Sequence, residues 1–227
     1  MADQKVENMT ENTSPAKEDL LYTVADPSGT PVDRRVTVAN VNMGLVLLEE
    51  LTVSSEASID MENWYSSNYD IYQIELINII PDNNTVRLCM RMSTNGGSSY
   101  DNGANYGTAV LYARDEATSD SLGQNSGASE ILITTAILNT TAYGGVTGTM
   151  TLYSPGSSTY YKSINFHVGT VHSTSNYLYN MLGTARYYVT TAVNAFQLYM
   201  GTGDISGTVR VYGLRRTVTT TTTTTTV

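Results

Sequence analysis

The sequence predicts an all-β protein. Its body reads as an antiparallel β-sandwich, jelly-roll-like, preceded by an extended N-terminal arm and hairpin. Three observations carry this reading. Apolar and polar residues alternate with a period of two in several runs, as they do in a half-buried strand whose side chains change face at every residue. Polar, glycine-bearing stretches punctuate those runs. Helical periodicity is almost absent, and no internal repeat is visible, which disfavours a propeller or solenoid.

The elements follow in order. Residues 1–19 are polar and hold Pro15, and they read as an extended arm. Leu20 to Val24 is a short apolar strand. Asp26-Pro27-Ser28-Gly29-Thr30-Pro31 is dense turn chemistry, because Pro fixes φ and Gly admits positive φ. Val36-Thr37-Val38 is a second short strand. Two such strands bury too little surface to be stable alone, so the hairpin needs a partner. The body begins near Leu45. Its clearest strand sets Val86, Leu88, Met90 and Met92 against Arg87, Cys89, Arg91 and Ser93. Ile164, Phe166 and Val168 repeat the pattern, as do Phe196, Leu198 and Met200, then Val209 and Val211. Ile71 to Ile80, Ala109 to Ala113, Ile131 to Leu138 and Thr149 to Tyr153 are further β-like runs. This makes about eight strands, by the strand-spacing rule.

Loops separate these runs. Thr94-Asn95-Gly96-Gly97 is a hairpin signal, and Thr118 to Ser129 reads as a longer loop. Ser175 to Ala185 stands apart, because Tyr177, Leu178, Met181 and Leu182 suit a helical turn or a loop over the sandwich edge. The organisation expected is therefore an arm and attachment hairpin over 1–44, a sandwich over 45–214 and a threonine-rich tail over 215–227.

Composition narrows the function. The 227 residues are 41% hydrophobic and only 15% charged, enough for a buried core and unlike a disordered chain. Tyrosine occurs 17 times against 2 Phe and 1 Trp, and its ring buries while its hydroxyl stays wet or bonded. Such a surface suits packing against other chains or sugars. The net charge of −9 and the scattered basic residues exclude a nucleic-acid backbone binder. A single cysteine, Cys89, excludes an intrachain disulfide and a multi-cysteine zinc site. No signal peptide and no membrane-spanning apolar run is visible, so synthesis in a cytosol and no membrane insertion are expected.

Catalytic chemistry is not expected. His167 and His172 are the only histidines, and no nucleophile elbow, phosphate loop or zinc-protease motif accompanies them. The carboxylates Asp60, Glu62, Asp70, Glu75, Asp101, Asp115 and Glu116 follow no acid–base pattern. No cofactor and no metal is expected, although oxygen ligands near loops leave a calcium site open. Trp64, Tyr65, Tyr69 and Tyr72 form an aromatic cluster. It either stacks on sugar rings, making Trp64, Tyr65 and Tyr69 candidate glycan contacts, or closes one end of the sandwich. Ser93 to Tyr100 resembles the Asp-box hairpin of sialidases, with Asn95 and Tyr100 in place of the usual Asp and Trp. It supports a hairpin and nothing catalytic.

Asp3-Gln4-Lys5-Val6, Asp19-Leu20-Leu21-Tyr22-Thr23-Val24, Asp26 to Pro31 and Arg35-Val36-Thr37-Val38 together resemble an N-terminal element of tailed-bacteriophage virion proteins. The body, with Ser93 to Gly103 in its middle, also resembles β-sandwich modules of phage structural proteins. The resemblance implies a virion component made in the bacterial cytoplasm, commonly a homotrimer, attached through its N-terminus to other virion proteins. Leu20, Leu21, Tyr22, Val24, Val36 and Val38 are then the attachment residues. A host surface glycan is the further partner expected of a receptor-recognising module. Thr219, Thr220, Thr221, Thr222, Thr223, Thr224, Thr225 and Thr226 form an unbroken run. Threonine is β-branched and favours extended backbone, so this tail is expected to pair along a neighbouring subunit.

Overall fold

The computed structural model describes residues 20–25, 32–37, 44–115, 121–173 and 177–215. The chain divides into two compact units, Met1–Gly44 and Leu45–Val227. The first holds an antiparallel hairpin of β1 (Leu20–Ala25) and β2 (Val32–Thr37), in register from Ala25 opposite Val32 to Leu20 opposite Thr37. The expected hairpin is therefore present, with a second strand that starts earlier than Val36. Val38 lies outside the described residues, as do the arm over 1–19 and the threonine run over 219–226.

The second unit contains β3 (Leu45–Glu56), β4 (Ile59–Met61), β5 (Tyr69–Pro81), β6 (Leu88–Ser93), β7 (Tyr106–Arg114), β8 (Ser121–Ala128), β9 (Ile131–Leu132), β10 (Val146–Tyr153), β11 (Lys162–Val171), β12 (Leu178–Tyr187), β13 (Ala195–Met200) and β14 (Ile205–Arg215). Eight strands form one sheet in the order β3-β14-β5-β10-β11-β12-β7-β8, and four form the other in the order β4-β13-β6-β9. Every pairing is antiparallel. The sheets pack face to face, and the protein is an all-β sandwich.

The alternation seen in the sequence is the alternation of burial. Ile164, Phe166 and Val168 of β11, Val209 and Val211 of β14, and Leu88, Met90 and Met92 of β6 all enter one core. Asn165 and His167 of β11 face out. The core also holds Trp64, Tyr72, Tyr106 and Phe196.

Three local expectations are corrected. In Ser175 to Ala185, Ser175 and Asn176 lie outside the described residues, and the rest forms neither a helical turn nor an edge loop. Leu178 to Ala185 lies in β12, which pairs with β11 on one side and β7 on the other. Within Thr118 to Ser129, Ser121–Ala128 is strand β8, held by its ladder to β7. The Asn95-Gly96-Gly97 turn forms with Gly96 and Gly97 at φ 69° and 85°. It does not join a hairpin, because β6 pairs with β13 and β9 while the next strand, β7, belongs to the other sheet. Asn95 instead braces its own turn, accepting from the Ser99 N–H at 3.0 Å and donating to Ser99 Oγ at 2.8 Å.

Candidate binding groove on the eight-stranded sheet

The outer face of the large sheet is read most directly from its register. One transverse row runs Leu111, Leu182, His167, Thr149, Glu75, Arg210, Glu50. The next runs Ala109, Thr184, Asn165, Thr151, Gln73, Tyr212, Leu47. The face has two halves. On β3, β14 and β5 the charges satisfy one another. Arg210 pairs with Glu50, and Glu75 accepts from Tyr212 at 3.2 Å and from Gln73 at 3.4 Å. On β10, β11, β12 and β7 there are mainly hydroxyls, amides, glycines and leucines, with Arg186 at one end.

That second half carries three adjoining hollows. One of about 550 Å³ lies between Gly107, Ser126, Thr184, Arg186 and Tyr188. It shares Ala109 and Thr184 with a neighbour of about 540 Å³, lined by Thr149, Thr151, Asn165, His167 and Leu182. This one in turn shares Thr149 and His167 with a third of about 580 Å³ that reaches Gly148, Leu178 and Asn180. Together they make a groove along β12. At about 3.3 Å per residue, the span from Leu178 to Arg186 is roughly 26 Å. Among the described residues no carboxylate lines it. Its polar groups are held in place: His167 Nε2 and Asn180 Oδ1 lie 2.6 Å apart, and Thr184 Oγ1 donates to Asn165 Oδ1 at 3.1 Å.

An exposed tyrosine, Tyr188, lines one end, with Tyr161 packed against it and Tyr160 next to Tyr161 in the chain. Tyr160, Tyr161 and Tyr188 are 69%, 50% and 42% exposed. Lys162 organises them from beneath. Its side chain is buried, and its ammonium donates to the carbonyls of Ser157, Tyr160 and Thr190 at 2.5, 3.0 and 3.0 Å. Burial lowers its pKa, and three carbonyl dipoles compensate the charge. One side chain thus clamps the loop bearing Tyr160 to the loop that follows Tyr188. Tyr161 meets Tyr188 edge to face at 5.6 Å, and the Tyr188 N–H donates to Asn105 O at 2.7 Å. The Tyr188 hydroxyl occupies the space over Gly107, where a Cβ would sit only 2.6 Å from it. A glycine inside a strand marks this kind of close approach.

The sequence candidates fall elsewhere. Trp64 is only 1% exposed, donates its indole N–H to Met61 O at 3.1 Å, and packs on Tyr72 at 4.7 Å and Phe196 at 5.7 Å. It is a core residue with almost no surface left to stack on a sugar. Tyr65 and Tyr69 are half-buried against the same cluster. Burial pushes the Tyr72 hydroxyl up to about 12, although it donates to Ser66 O. This aromatic group closes one end of the sandwich. Leu20, Leu21, Tyr22, Val24 and Val36 all lie in the hairpin.

Of the candidate carboxylates, Glu116 lies outside the described residues, and the others are engaged structurally. Asp60 accepts from Gln197, Glu62 from Tyr100, and Asp115 from the Leu178 N–H. Asp101 accepts from Gly103 N–H at 2.7 Å, Tyr187 OH at 2.7 Å and Asn105 Nδ2 at 2.9 Å. Burial raises the Asp101 pKa, but these bonds outweigh it and leave the carboxyl below its ordinary value. Among the described residues no group of three or more His, Cys, Asp or Glu is placed to hold a metal. His172 stacks on Tyr179 at 4.9 Å, with its pKa lowered by burial and by Arg114. Cys89 is buried, and its thiol is pushed up to about 12, first by burial and then by Glu130.

The tyrosine-rimmed groove was missed by sequence reasoning. Its one local signal is the pair of Tyr-Tyr dipeptides, Tyr160-Tyr161 and Tyr187-Tyr188. In the second, one ring goes to the core and the next goes out. No protein-family model matches the chain, and no curated protein or solved structure shows significant similarity to it.

Proposed function

We propose that this chain is a non-enzymatic structural subunit of a bacteriophage virion, of the fibre, spike or capsid-decorating kind. The observation that carries the reading is the division into two units, a small hairpin followed by a complete sandwich. Two six-residue strands cannot hold themselves together in water, so the hairpin is an attachment element that needs a partner. Residues 1–44 dock on another virion protein, and the sandwich is the displayed body. The subunit self-associates, as a homotrimer, with the threonine run over 219–226 contributing to assembly. Incorporation of the full chain and of a chain lacking residues 1–44 into particles tests this. The shortened chain should fold and fail to incorporate. Equal incorporation, or a strict monomer at micromolar concentration that binds no virion component, would sink the proposal.

A second reading concerns the displayed body, and it is compatible with the first. The groove on β10, β11, β12 and β7 is a host-glycan site. It combines ordered, exposed tyrosines with planar amides and hydroxyls, the combination that sugars require of a binding surface. A glycan array, with host-cell binding in parallel, tests it.

A further inference from the structure

We propose that the Tyr188 end of the groove is a subsite for an acidic saccharide unit, with Arg186 as the partner of its carboxylate or phosphate. The inference rests on the glycan reading and adds the charge and the place.

Arg186 stands on the outward face of β12, directly opposite Gly107 of β7. It is exposed, and among the described residues its guanidinium makes no ion pair or side-chain hydrogen bond. Arg91 and Arg210, by contrast, hold Glu130 and Glu50. Among the described residues no acidic side chain lines any of the three hollows, and Arg186 is the one permanently charged side chain in them. A chain of net charge −9 thus presents a cation on a groove cleared of carboxylates. Guanidinium presents a planar fork of donors that matches a carboxylate or phosphate.

The neighbouring geometry suits a sugar ring. Tyr188 is fixed by its bond to Asn105, by the Tyr161 edge and by the missing Cβ of Gly107. An exposed ring held on three sides is preordered for stacking, so little side-chain entropy is lost on binding. Thr184 and Ser126 supply hydroxyls in the same hollow. An acidic peptide fits less well. It would add as a strand along an open sheet edge, whereas this hollow lies on the sheet face, across β12, β7 and β8.

The test is direct binding of the full chain to a panel of oligosaccharides bearing hexuronate, sialate or phosphate groups, each paired with its esterified or neutral counterpart. At least one acidic member should bind, with its neutral counterpart about tenfold weaker or more. Arg186→Gln should weaken acidic binding by about tenfold to a hundredfold, to the neutral level. Arg210→Gln should leave it unchanged. Tyr188→Ala should lower binding of both forms, with Tyr188→Phe restoring the stacking. Thermal melts confirm that each variant is folded. The carboxylate and phosphate arms show which acid is preferred. Equal binding of acidic and neutral members, an indifferent Arg186→Gln, or full competition by polyglutamate would overturn the inference while leaving other binders in place. Binding of neutral sugars alone removes the acidic subsite and keeps the glycan groove. Binding of no saccharide removes both.

Discussion

Replacing Lys162 with Met separates the role of its charge from the role of its stem. The stem stays buried in a shape close to that of lysine, but the ammonium that donates to Ser157 O, Tyr160 O and Thr190 O disappears. Three carbonyls then lose their partner, and each stranded buried acceptor costs about 1–3 kcal/mol. The loss is offset because burying an ammonium is itself costly, by several kcal/mol before its hydrogen bonds are counted. The net expectation is a destabilisation of about 2–4 kcal/mol. For a unit of this size each kcal/mol moves the melting temperature by about 2–4 °C, so Lys162→Met should melt roughly 5–15 °C lower. Calorimetry measures the shift, and urea titration gives the free energy independently. The variant should also weaken groove binding, because Tyr160 and Tyr161 lie in the released loop. An unchanged or raised melting temperature would show that the carbonyls find water or each other without cost, and that the clamp is dispensable.

Four further outcomes are expected. Trp64→Ala should cost about 3–5 kcal/mol, the range for deleting a buried large aromatic. Trp64→Phe should cost less and leave glycan binding intact, as read by urea midpoints beside binding isotherms. Gly183→Ala should destabilise by about 1–3 kcal/mol, since a Cβ there would lie 2.0 Å from the Phe166 ring; a neutral melt would show that Phe166 can move aside. Alkaline pH should weaken the fold. Burial raises the hydroxyls of Tyr72, Tyr106, Tyr187 and Tyr199 above their ordinary value, with Tyr187 and Tyr199 held further up by donation to Asp101 and Glu130. Their folded pKa exceeds the unfolded one, so their stabilisation is complete below about pH 10 and declines above it, as the unfolded tyrosines ionise. Urea midpoints measured from neutral to alkaline pH check this. Asp101 acts in the opposite sense. Its carboxyl is depressed, so it stabilises above the ordinary carboxylate range, and that contribution is lost as acid protonates it. Asp101→Asn should therefore flatten the acid limb of the melting curve.

The sequence by itself determined the fold class and most of the inner face. In β6, β11, β13 and β14 the inward residues are mainly apolar and the outward ones mainly polar, so period-two burial is written directly in the residues. It also determined that a turn forms at Asn95-Gly96-Gly97, since that chemistry is local. The strands it concealed are those whose outward positions break the binary pattern. In β12, Leu178 and Leu182 face out while Met181 is buried, and with Tyr177 just before the strand four large side chains so spaced mimic a helical turn. Its strand state comes from ladders to β11 and β7, which are remote in sequence. In β8 the run Ser-Leu-Gly-Gln-Asn-Ser-Gly-Ala has the composition of a loop, and pairing with β7 overrides it. Tertiary structure alone decided the fate of the aromatics. Tyr and Trp serve equally in a core and at a sugar site, and the sequence carries no sign of which face they meet. Packing sent Trp64 inward, while the Lys162 clamp and the open backbone of Gly107 set Tyr161 and Tyr188 at the surface. Arg186 has an ordinary local context. It becomes distinctive only because antiparallel registry gathers, from separate strands, hollows whose described lining holds no carboxylate.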